Sequence, residues 1–327
     1  MKYLYVIVLL GLLVTGCEPV IEKAGTTTFS QHATPDEIGR ANASAFVAGD
    51  DAFVVFGRNR DLHQQLWRYN LTSEVWTRLN DFPGKARVGA ICAVAGNRVF
   101  AGLGYAGTQN TDIFTDSMYL SDFWEYHTVS DSWSRKATYP GNGRDKAAVV
   151  VYKQEIYVFN GFVQQGSNNE VWKYNPGTDT WTRMNDYPGR HRYCTVAITD
   201  GRRIFAGTGF NTLNNNEWWE YLPESDSWKR RKSMPDTGRC NAVAFVVNDR
   251  FFVSTGRYFD GALTGGHLKN DLMEYLPETD TWKRHTNLSA APRENAITFV
   301  AGNKAFIGLG EDDSTIFNDL WSFTPEN

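Results

Sequence analysis

The chain has 327 residues, a formal net charge of −4 and 14% aromatic residues. A slightly acidic net charge gives no argument for nucleic-acid binding, so no nucleic-acid partner is predicted. The length could hold two domains, but a repeat that extends over nearly all of the sequence predicts a single closed body.

The N-terminus is predicted to be a secretion signal of residues 1–16. Lys2 supplies the positive start, and the apolar stretch 3–14 is too short to span a membrane as a mature helix. The stretch ends in Val14-Thr15-Gly16-Cys17, which resembles the lipobox of bacterial lipoproteins. The resemblance implies cleavage before this cysteine.

Lipidation of Cys17 would leave residues 17–25 as a lipidated end and a short tether, so the body would be attached to a membrane by its lipid anchor only. No Asp follows Cys17, and enterobacterial sorting rules then favour the outer membrane, with the body facing either the periplasm or the outside. The alternative is an ordinary signal peptide with a coincidental cysteine.

From residue 26 onward the sequence repeats with fixed spacings. Two bulky residues nine apart are followed after eleven residues by Arg, and each Arg after seventeen residues by Gly. Only the gap from that Gly to the next bulky residue varies, between 10 and 20 residues. The repeating positions are the pairs Trp67/Trp76, Trp124/Trp133, Trp172/Trp181, Trp219/Trp228 and Met273/Trp282, the arginines Arg40, Arg87, Arg144, Arg192, Arg239 and Arg293, and the glycines Gly57, Gly104, Gly161, Gly209, Gly256 and Gly310.

Each unit is predicted to contain four short strands. A two-residue turn such as Gly96-Asn97 joins the first two, because these residue types tolerate positive φ in tight hairpins. The third strand carries aromatic residues two apart, as in Trp124-Glu125-Tyr126, which places both on one face. Four antiparallel strands in a unit of about fifty residues are typical of a propeller blade.

These residues resemble the kelch family of β-propellers, and the likeness extends over residues 26–323. One departure is that the glycine pair usual at the end of the second strand is split, as in Gly102-Leu103-Gly104. The resemblance implies an all-β fold: a six-bladed kelch β-propeller, residues 26–327, with four antiparallel strands per blade.

The spacing also predicts how the ring closes. The sixth unit ends at Phe323 without a fourth strand, and the position eleven residues before Arg40 is Phe29. The N-terminal strand is therefore expected to complete the last blade, which removes an exposed sheet edge.

Three cysteines remain once Cys17 is set aside, namely Cys92, Cys194 and Cys240. An odd number argues against a disulfide framework, so all three are expected to be small buried residues. No Cys-x-x-Cys spacing is present, and neither a metal site nor a cofactor is predicted.

The candidate binding face follows from strand order. The first strand begins and the second ends at the same end of a blade, so the Arg positions share a face with the residues that follow each Gly. The candidate ligand-binding residues are the arginines Arg40, Arg87, Arg144, Arg192, Arg239 and Arg293, the nearby Asn42, Asn241 and Asn295, and the post-glycine residues Arg58, Tyr105, Phe162, Phe210, Arg257 and Glu311.

Two interpretations of the repeated arginines stay open. Six copies in six blades favour a structural role, in which each guanidinium binds carbonyls and fastens one blade to the next. Alternatively, six guanidinium groups near one mouth would attract carboxylates or phosphates. In kelch domains that bind acidic peptides, the resemblance implies that Arg at this position contacts ligand carboxylates.

The favoured function is an exported, monomeric binding protein for an anionic or polar ligand. Aromatic residues with Asn, Arg and Glu partners favour a carbohydrate, and an acidic peptide or partner protein is second. A third alternative is a structural envelope module without a ligand.

Catalysis is not favoured, although two enzyme families are similar. The copper site of galactose oxidase requires two His and a Cys cross-linked to Tyr, and no suitable His pair is present. The bacterial sialic acid mutarotase has a Gly-Glu like Gly310-Glu311, but Phe317 stands where that family has Arg. Glu311 and Arg257 are the candidate catalytic residues if the chain is a mutarotase or epimerase.

Overall fold

The computed structural model describes residues 28–107, 118–260 and 265–325, in which the strands form six four-stranded antiparallel sheets and one short hairpin. The predicted signal peptide, Cys17 and the tether lie outside these residues and stay predictions. No helix in the described ranges is long and apolar enough to cross a membrane.

The described part of the chain begins with β1 (Thr28–His32) and a 3-10 turn, Asp36–Ile38. The first three blades, each given from its innermost to its outermost strand, are β2 (Ala41–Ala48), β3 (Asp51–Arg58), β4 (Leu66–Asn70) and β5 (Trp76–Arg78); β6 (Ile91–Ala95), β7 (Arg98–Gly102), β8 (Phe123–His127) and β9 (Ser132–Arg135); and β10 (Ala148–Tyr152), β11 (Glu155–Val163), β12 (Gly166–Asn175) and β13 (Thr180–Met184).

Blades 4 to 6 continue the pattern, and blade 5 carries the extra hairpin β20 (Arg257–Tyr258) and β21 (His267–Leu268). The blade strands are β14 (Val196–Thr199), β15 (Ile204–Gly207), β16 (Trp218–Leu222) and β17 (Ser227–Arg231); β18 (Val243–Val247), β19 (Arg250–Ser254), β22 (Leu272–Leu276) and β23 (Thr281–Arg284); and β24 (Ile297–Ala301), β25 (Lys304–Gly308) and β26 (Leu320–Thr324) followed by β1.

The six innermost strands form a closed ring, in which each contacts the innermost strand of the next blade and β24 contacts β2. Residues of four of these strands, β2, β6, β10 and β24, line a central cavity of about 280 Å³, among them Ala45, Ala93 and Val150. The predicted all-β, six-bladed architecture is confirmed.

The N-terminal strand closes the ring as predicted. β1 pairs antiparallel with β26, and Phe29 lies opposite Phe323. This is the pairing that Trp133 makes with Tyr126 in blade 2. Phe29 therefore occupies the position that a tryptophan occupies in the other blades.

A polar contact between blades recurs outside the aromatic core. In blade 3, Tyr174 Oη donates to Asp179 Oδ1 at 2.6 Å, and the same oxygen accepts from the backbone N–H of Ala137, which follows blade 2, at 2.9 Å. Trp181 Nε1 donates to the carbonyl of Ala137 at 2.9 Å. Tyr174, Asp179 and Trp181 therefore fasten blade 3 to the chain that leaves blade 2.

The closure by β1 yields the first prediction. Phe29→Ala should lower the free energy of unfolding by about 1–3 kcal/mol, because the partly buried ring packs against Phe323 at 5.8 Å between centroids. Urea unfolding measures the change, and the exposed Ser30→Ala is the control. Equal stability of the two variants would contradict a closing role for β1.

Candidate functional site

The six repeated arginines are buried inside the blades, each with 0% of its surface exposed. Their placement as ligand-binding residues at the mouth is wrong for this structure, since no part of a guanidinium reaches the surface. Burial agrees with the structural role for all six arginines: Arg40, Arg87, Arg144, Arg192, Arg239 and Arg293.

Arg192 illustrates the arrangement. Its Nε donates to the carbonyl of Arg190 at 3.0 Å, its Nη1 to that of Thr208 at 3.2 Å, and its Nη2 to the carboxylate of Glu217. The ring of Tyr187 lies 4.9 Å from the guanidinium carbon. A buried guanidinium needs such saturation because an unpaired buried charge is costly.

The carboxylate partner recurs in five blades and is missing in one. The five carboxylates that accept from the repeated arginines are Asp122, Glu170, Glu217, Asp271 and Asp319. Arg40 instead donates to Gln65 Oε1 at 2.7 Å. Burial, and then the charge of Arg78, lower the pKa of Arg40 to about 10.

The backbone of the same arginines joins the blades. The N–H of Gly104 donates to the carbonyl of Arg144 at 2.7 Å, and Gly310 donates to Arg40 at 2.9 Å across the closure. Every repeated Gly makes this bond to the Arg of the next blade. The fixed distance from Arg to Gly therefore reflects a latch between neighbouring blades.

The six residues that lie two positions after each repeated Arg form a ring around the propeller axis. All six residues are left-handed, with φ between 51° and 60°, and most donate their N–H to the equivalent carbonyl of a neighbour. They line a small axial pocket of about 180 Å³: Asn42, Gly89, Lys146, Cys194, Asn241 and Asn295. The predicted Asn42, Asn241 and Asn295 thus lie together at the axis.

A chain of polar contacts leads outward from this pocket. Lys146 Nζ donates to Asn241 Oδ1 at 3.0 Å, and Asn241 Nδ2 donates to Glu294 Oε2 at 2.6 Å. The other oxygen of Glu294 accepts from Arg257 Nε at 2.6 Å, and Arg257 Nη2 donates to Asp313 at 2.7 Å. Arg257 is therefore saturated by two carboxylates and only 5% exposed.

Two further predicted residues, Arg58 and Glu311, form an ion pair beside it. Arg58 Nη2 donates to both oxygens of Glu311 at 2.8 and 2.9 Å, and Asn295 Nδ2 donates to Glu311 Oε1 at 2.8 Å. Phe317, at the position where a mutarotase would have Arg, stacks 4.1 Å from the guanidinium carbon of Arg293. We call Arg58, Arg257, Glu294, Glu311 and Asp313 the polar arc.

The opposite side of the mouth is a continuous row of rings, which we call the aromatic arc. Neighbouring ring centroids are 4.9 to 6.0 Å apart, so each ring contacts the next. In order around the mouth the rings are Tyr105, Tyr119, Phe162, Tyr193, Phe210 and Phe259. The predicted Tyr105, Phe162 and Phe210 are thus brought together, although Phe210 is only 3% exposed.

Asp145 lies among these rings, and its Oδ1 is a buried oxygen without a hydrogen-bond partner in the described part of the chain. Burial raises the pKa of Asp145 to about 6, against the opposing charge of Lys146. Its carboxylate in turn contributes to the raised pKa of Tyr193, for which burial is the larger cause. A carboxyl with a pKa this close to neutral is suited to proton transfer or to ligand binding.

Sequence reasoning missed the residues directly after each Arg, including Asp145, Tyr193 and Glu294. Each forms a backbone bridge with a predicted post-glycine residue: Asp145 with Phe162, Tyr193 with Phe210, and Glu294 with Glu311. The signal was available, since positions opposite a candidate residue in an antiparallel pair are candidates as well.

The cysteine prediction is corrected. Cys194 and Cys240 form a disulfide between blades 4 and 5, with their Cα atoms 5.2 Å apart. The odd count was compatible with one bridge because Cys92 is the thiol left over. Burial raises the pKa of the Cys92 thiol to about 12, so it is protonated at neutral pH. The bridge borders the aromatic arc at Phe210.

Within the three described ranges, no group of three or more His, Cys, Asp or Glu side chains is arranged to hold a metal ion. Asp312 accepts backbone N–H groups from Ser314 and Thr315, and Asp313 binds Arg257. The described side chains of the mouth are suited to hydrogen bonding, ring stacking and proton transfer.

Comparisons with known proteins agree with this architecture. A family model described as the KLHDC2/KLHL20/DRC7 Kelch-repeats domain matches residues 99–256. A solved structure described as "Structure of YjhT" has a TM-score of 0.74 and 15% identity, and the match covers 90% of this chain and 99% of that chain. At this identity the likeness concerns the fold alone, which is the predicted six-bladed β-propeller.

The buried arginines yield a second prediction. Arg192→Ala should lower the free energy of unfolding by about 3–5 kcal/mol, because it leaves the buried carbonyl of Thr208 unpaired and removes the buried hydrogen-bond donor of Glu217. Arg230→Ala is the matched control, since Arg230 also lies near Glu217, at 3.8 Å, but its side chain is 62% exposed. A loss of similar size in both variants, measured by urea unfolding, would argue against the structural role.

Asp145 yields a third prediction. Because its pKa is raised to about 6, the folded state binds the proton more tightly than the unfolded state, and stability falls as the pH rises from about 4 to 6. Asp145→Asn should therefore stabilise the protein at pH 7.5, by up to about 3 kcal/mol, and by much less at pH 4. Urea unfolding at both pH values measures this. A gain that is independent of pH, or one shared by the exposed Asp50→Asn, would contradict it.

Proposed function

We propose that this chain, a six-bladed kelch-repeat β-propeller, binds a polyhydroxylated ligand of the carbohydrate class at the mouth formed by the axial pocket and its two arcs. The observation that carries the proposal is the division of this mouth. Six contacting rings lie on one side and hydrogen-bonding charged groups on the other. Sugars present one apolar face and an edge of hydroxyl groups, and a divided mouth complements both.

The charge of the mouth favours a neutral ligand over an anionic one. With the six repeated arginines buried, the described residues of the axial pocket and the two arcs supply three cations, Arg58, Lys146 and Arg257, and four carboxylates lie with them or among the rings: Asp145, Glu294, Glu311 and Asp313. Three positive charges against four negative ones do not focus a positive potential. The expectation of an anionic ligand rested mainly on six arginines at the mouth, and it thereby loses its main support.

A sugar mutarotase is the second candidate, and Asp145 is the observation that favours it. Exchange of anomers requires a group that moves a proton at the ring oxygen or the anomeric hydroxyl, and a carboxyl with a pKa of about 6 serves near neutral pH. Asp145 replaces Glu311 as the preferred acid–base residue, because Glu311 is held by Arg58 and Asn295.

The test is thermal unfolding of the purified protein with neutral sugars, N-acetylneuraminic acid and acidic peptides. A ligand present at a hundred times its dissociation constant adds about 2.7 kcal/mol to the stability. We expect a neutral sugar to be bound, and Tyr105→Ala and Phe162→Ala each to weaken its binding at least tenfold in calorimetry, because each removes a stacking surface.

Val129→Ala is the control, since Val129 is fully exposed in the turn between β8 and β9, at the opposite end of the blade. Sugar binding that is equal in Tyr105→Ala, Phe162→Ala and Val129→Ala would refute the proposed location. Binding of acidic peptides alone would identify a protein ligand instead. If a sugar binds, NMR exchange of its anomers, fast in the parent and lost in Asp145→Asn, would establish the mutarotase.

A further inference from the structure

Blades 2, 3 and 4 share an aromatic triad on the outer half of the sheet. A ring from the preceding linker, directly before a proline, packs on the tryptophans of the third and fourth strands. In blade 2, Phe82 lies 5.3 Å from Trp124 and 5.0 Å from Trp133, between ring centroids. The equivalent triads are Tyr139, Trp172 and Trp181 in blade 3, and Tyr187, Trp219 and Trp228 in blade 4.

Blade 5 keeps one of the three rings. Met234, which precedes Pro235, stands where the linker ring would be, and Met273 replaces the tryptophan of the third strand. Trp282 of the fourth strand remains. Both methionines are buried, with exposures of 1% and 4%, so they pack in the core without covering the outer surface as a tryptophan does.

A cleft lies where the repeat is broken. Its volume is about 790 Å³, several times that of the axial pocket, and it is large enough for a small organic ligand. Met273, Trp282, Leu276 and Leu268 supply its apolar walls. The flexible thioether of Met273 adapts to an aromatic neighbour better than a branched side chain does.

Arg284, at the edge of this cleft, has no tryptophan ring to stack on, unlike the arginines at the same position in four other blades. The fourth-strand Arg faces the third-strand tryptophan across the sheet in four blades, with the guanidinium carbon 4.7 to 5.9 Å from the ring: Arg78, Arg135, Arg183 and Arg230. In blade 5, Arg284 faces Met273 and is exposed. Its hydrogen bond to Asn287 is long, at 3.4 Å.

The charges around the cleft are predominantly positive. Its two carboxylates, Asp236 and Asp271, both accept from the buried Arg239. The pKa of Asp271 is lowered mainly by Arg239 against the effect of burial, with smaller contributions from Lys269 and Arg284. With the carboxylates engaged in this way, the lining cations Lys269, Lys283 and Arg284 leave an excess of positive charge for an anion.

We propose that this cleft binds an aromatic ring that carries a carboxylate. The ring occupies the place of the missing tryptophan, between Met273, Trp282 and the guanidinium of Arg284, and the carboxylate is paired by the surrounding cations. Either a free aromatic acid or a tryptophan next to acidic residues in a peptide supplies this chemistry. The site is separate from the mouth and does not depend on the sugar proposal.

The experiment is calorimetric titration of the full chain with indole-3-acetate, with neutral indole-3-carbinol for comparison. We expect the acid to bind at least tenfold more tightly than the alcohol. Met273→Trp restores the repeat and fills the cleft, so it should abolish binding while leaving the thermal midpoint unchanged or raised. Arg284→Ala should weaken binding at least tenfold.

Arg230→Ala is the matched control, because the same position in blade 4 already stacks on Trp219; it should leave binding unchanged. Undiminished affinity in Arg284→Ala, or in folded Met273→Trp, would overturn the proposal, and so would the absence of binding by both indole-3-acetate and acetyl-Trp-Glu-amide. Binding of the peptide alone, with the same response to the variants, would identify a peptide as the natural source of the ring.

Discussion

The rest of this structure depends on one buried arginine per blade. Its guanidinium donates hydrogen bonds both to the linker before the blade and to the chain that follows the second strand. Arg192, for example, donates to the carbonyls of Arg190 and Thr208. The backbone carbonyl of the same arginine accepts a hydrogen bond from the N–H of the repeated glycine in the preceding blade, as Arg144 accepts from Gly104. Because a buried guanidinium must be saturated, these groups cannot drift apart without leaving a charge unpaired. The constraint explains why the spacing from Arg to Gly is fixed while the loop after the glycine varies.

The same constraint decides where ligand chemistry can lie. A guanidinium that is fully engaged inside a blade is unavailable to a ligand, so recognition passes to positions beside it that the repeat leaves free. Asp145 and Glu294 directly follow a repeated arginine, yet they differ from each other and from their equivalents in the other blades. The backbone there is fixed by the latch, and the side chains can vary without disturbing the ring. A rigid frame with variable side chains suits a binding site.

Much of the fold could be predicted because it follows from distances along the chain. The pairing of Phe29 with Phe323 came from counting residues back from Arg40, and a period-2 strand leaves little freedom in register. Burial of the arginines could not be decided this way, since spacing places a side chain at an end of a blade without fixing its depth. The bridge between Cys194 and Cys240 was missed for a related reason. The two are 46 residues apart in sequence, and they become neighbours only when blades 4 and 5 close.

Both candidate sites occur where the sequence departs from its own repeat, and each departure leaves an interaction unsatisfied. At the mouth, the buried oxygen of Asp145 has no partner among the described residues, although the same position is Ala41 in blade 1 and Val88 in blade 2. On blade 5, Met273 removes the ring that elsewhere covers the fourth-strand arginine. An ideal repeat would be more stable with an apolar residue and a tryptophan at these positions. Groups that make the free protein less stable and would be satisfied by an added molecule are the expected physical signature of binding sites.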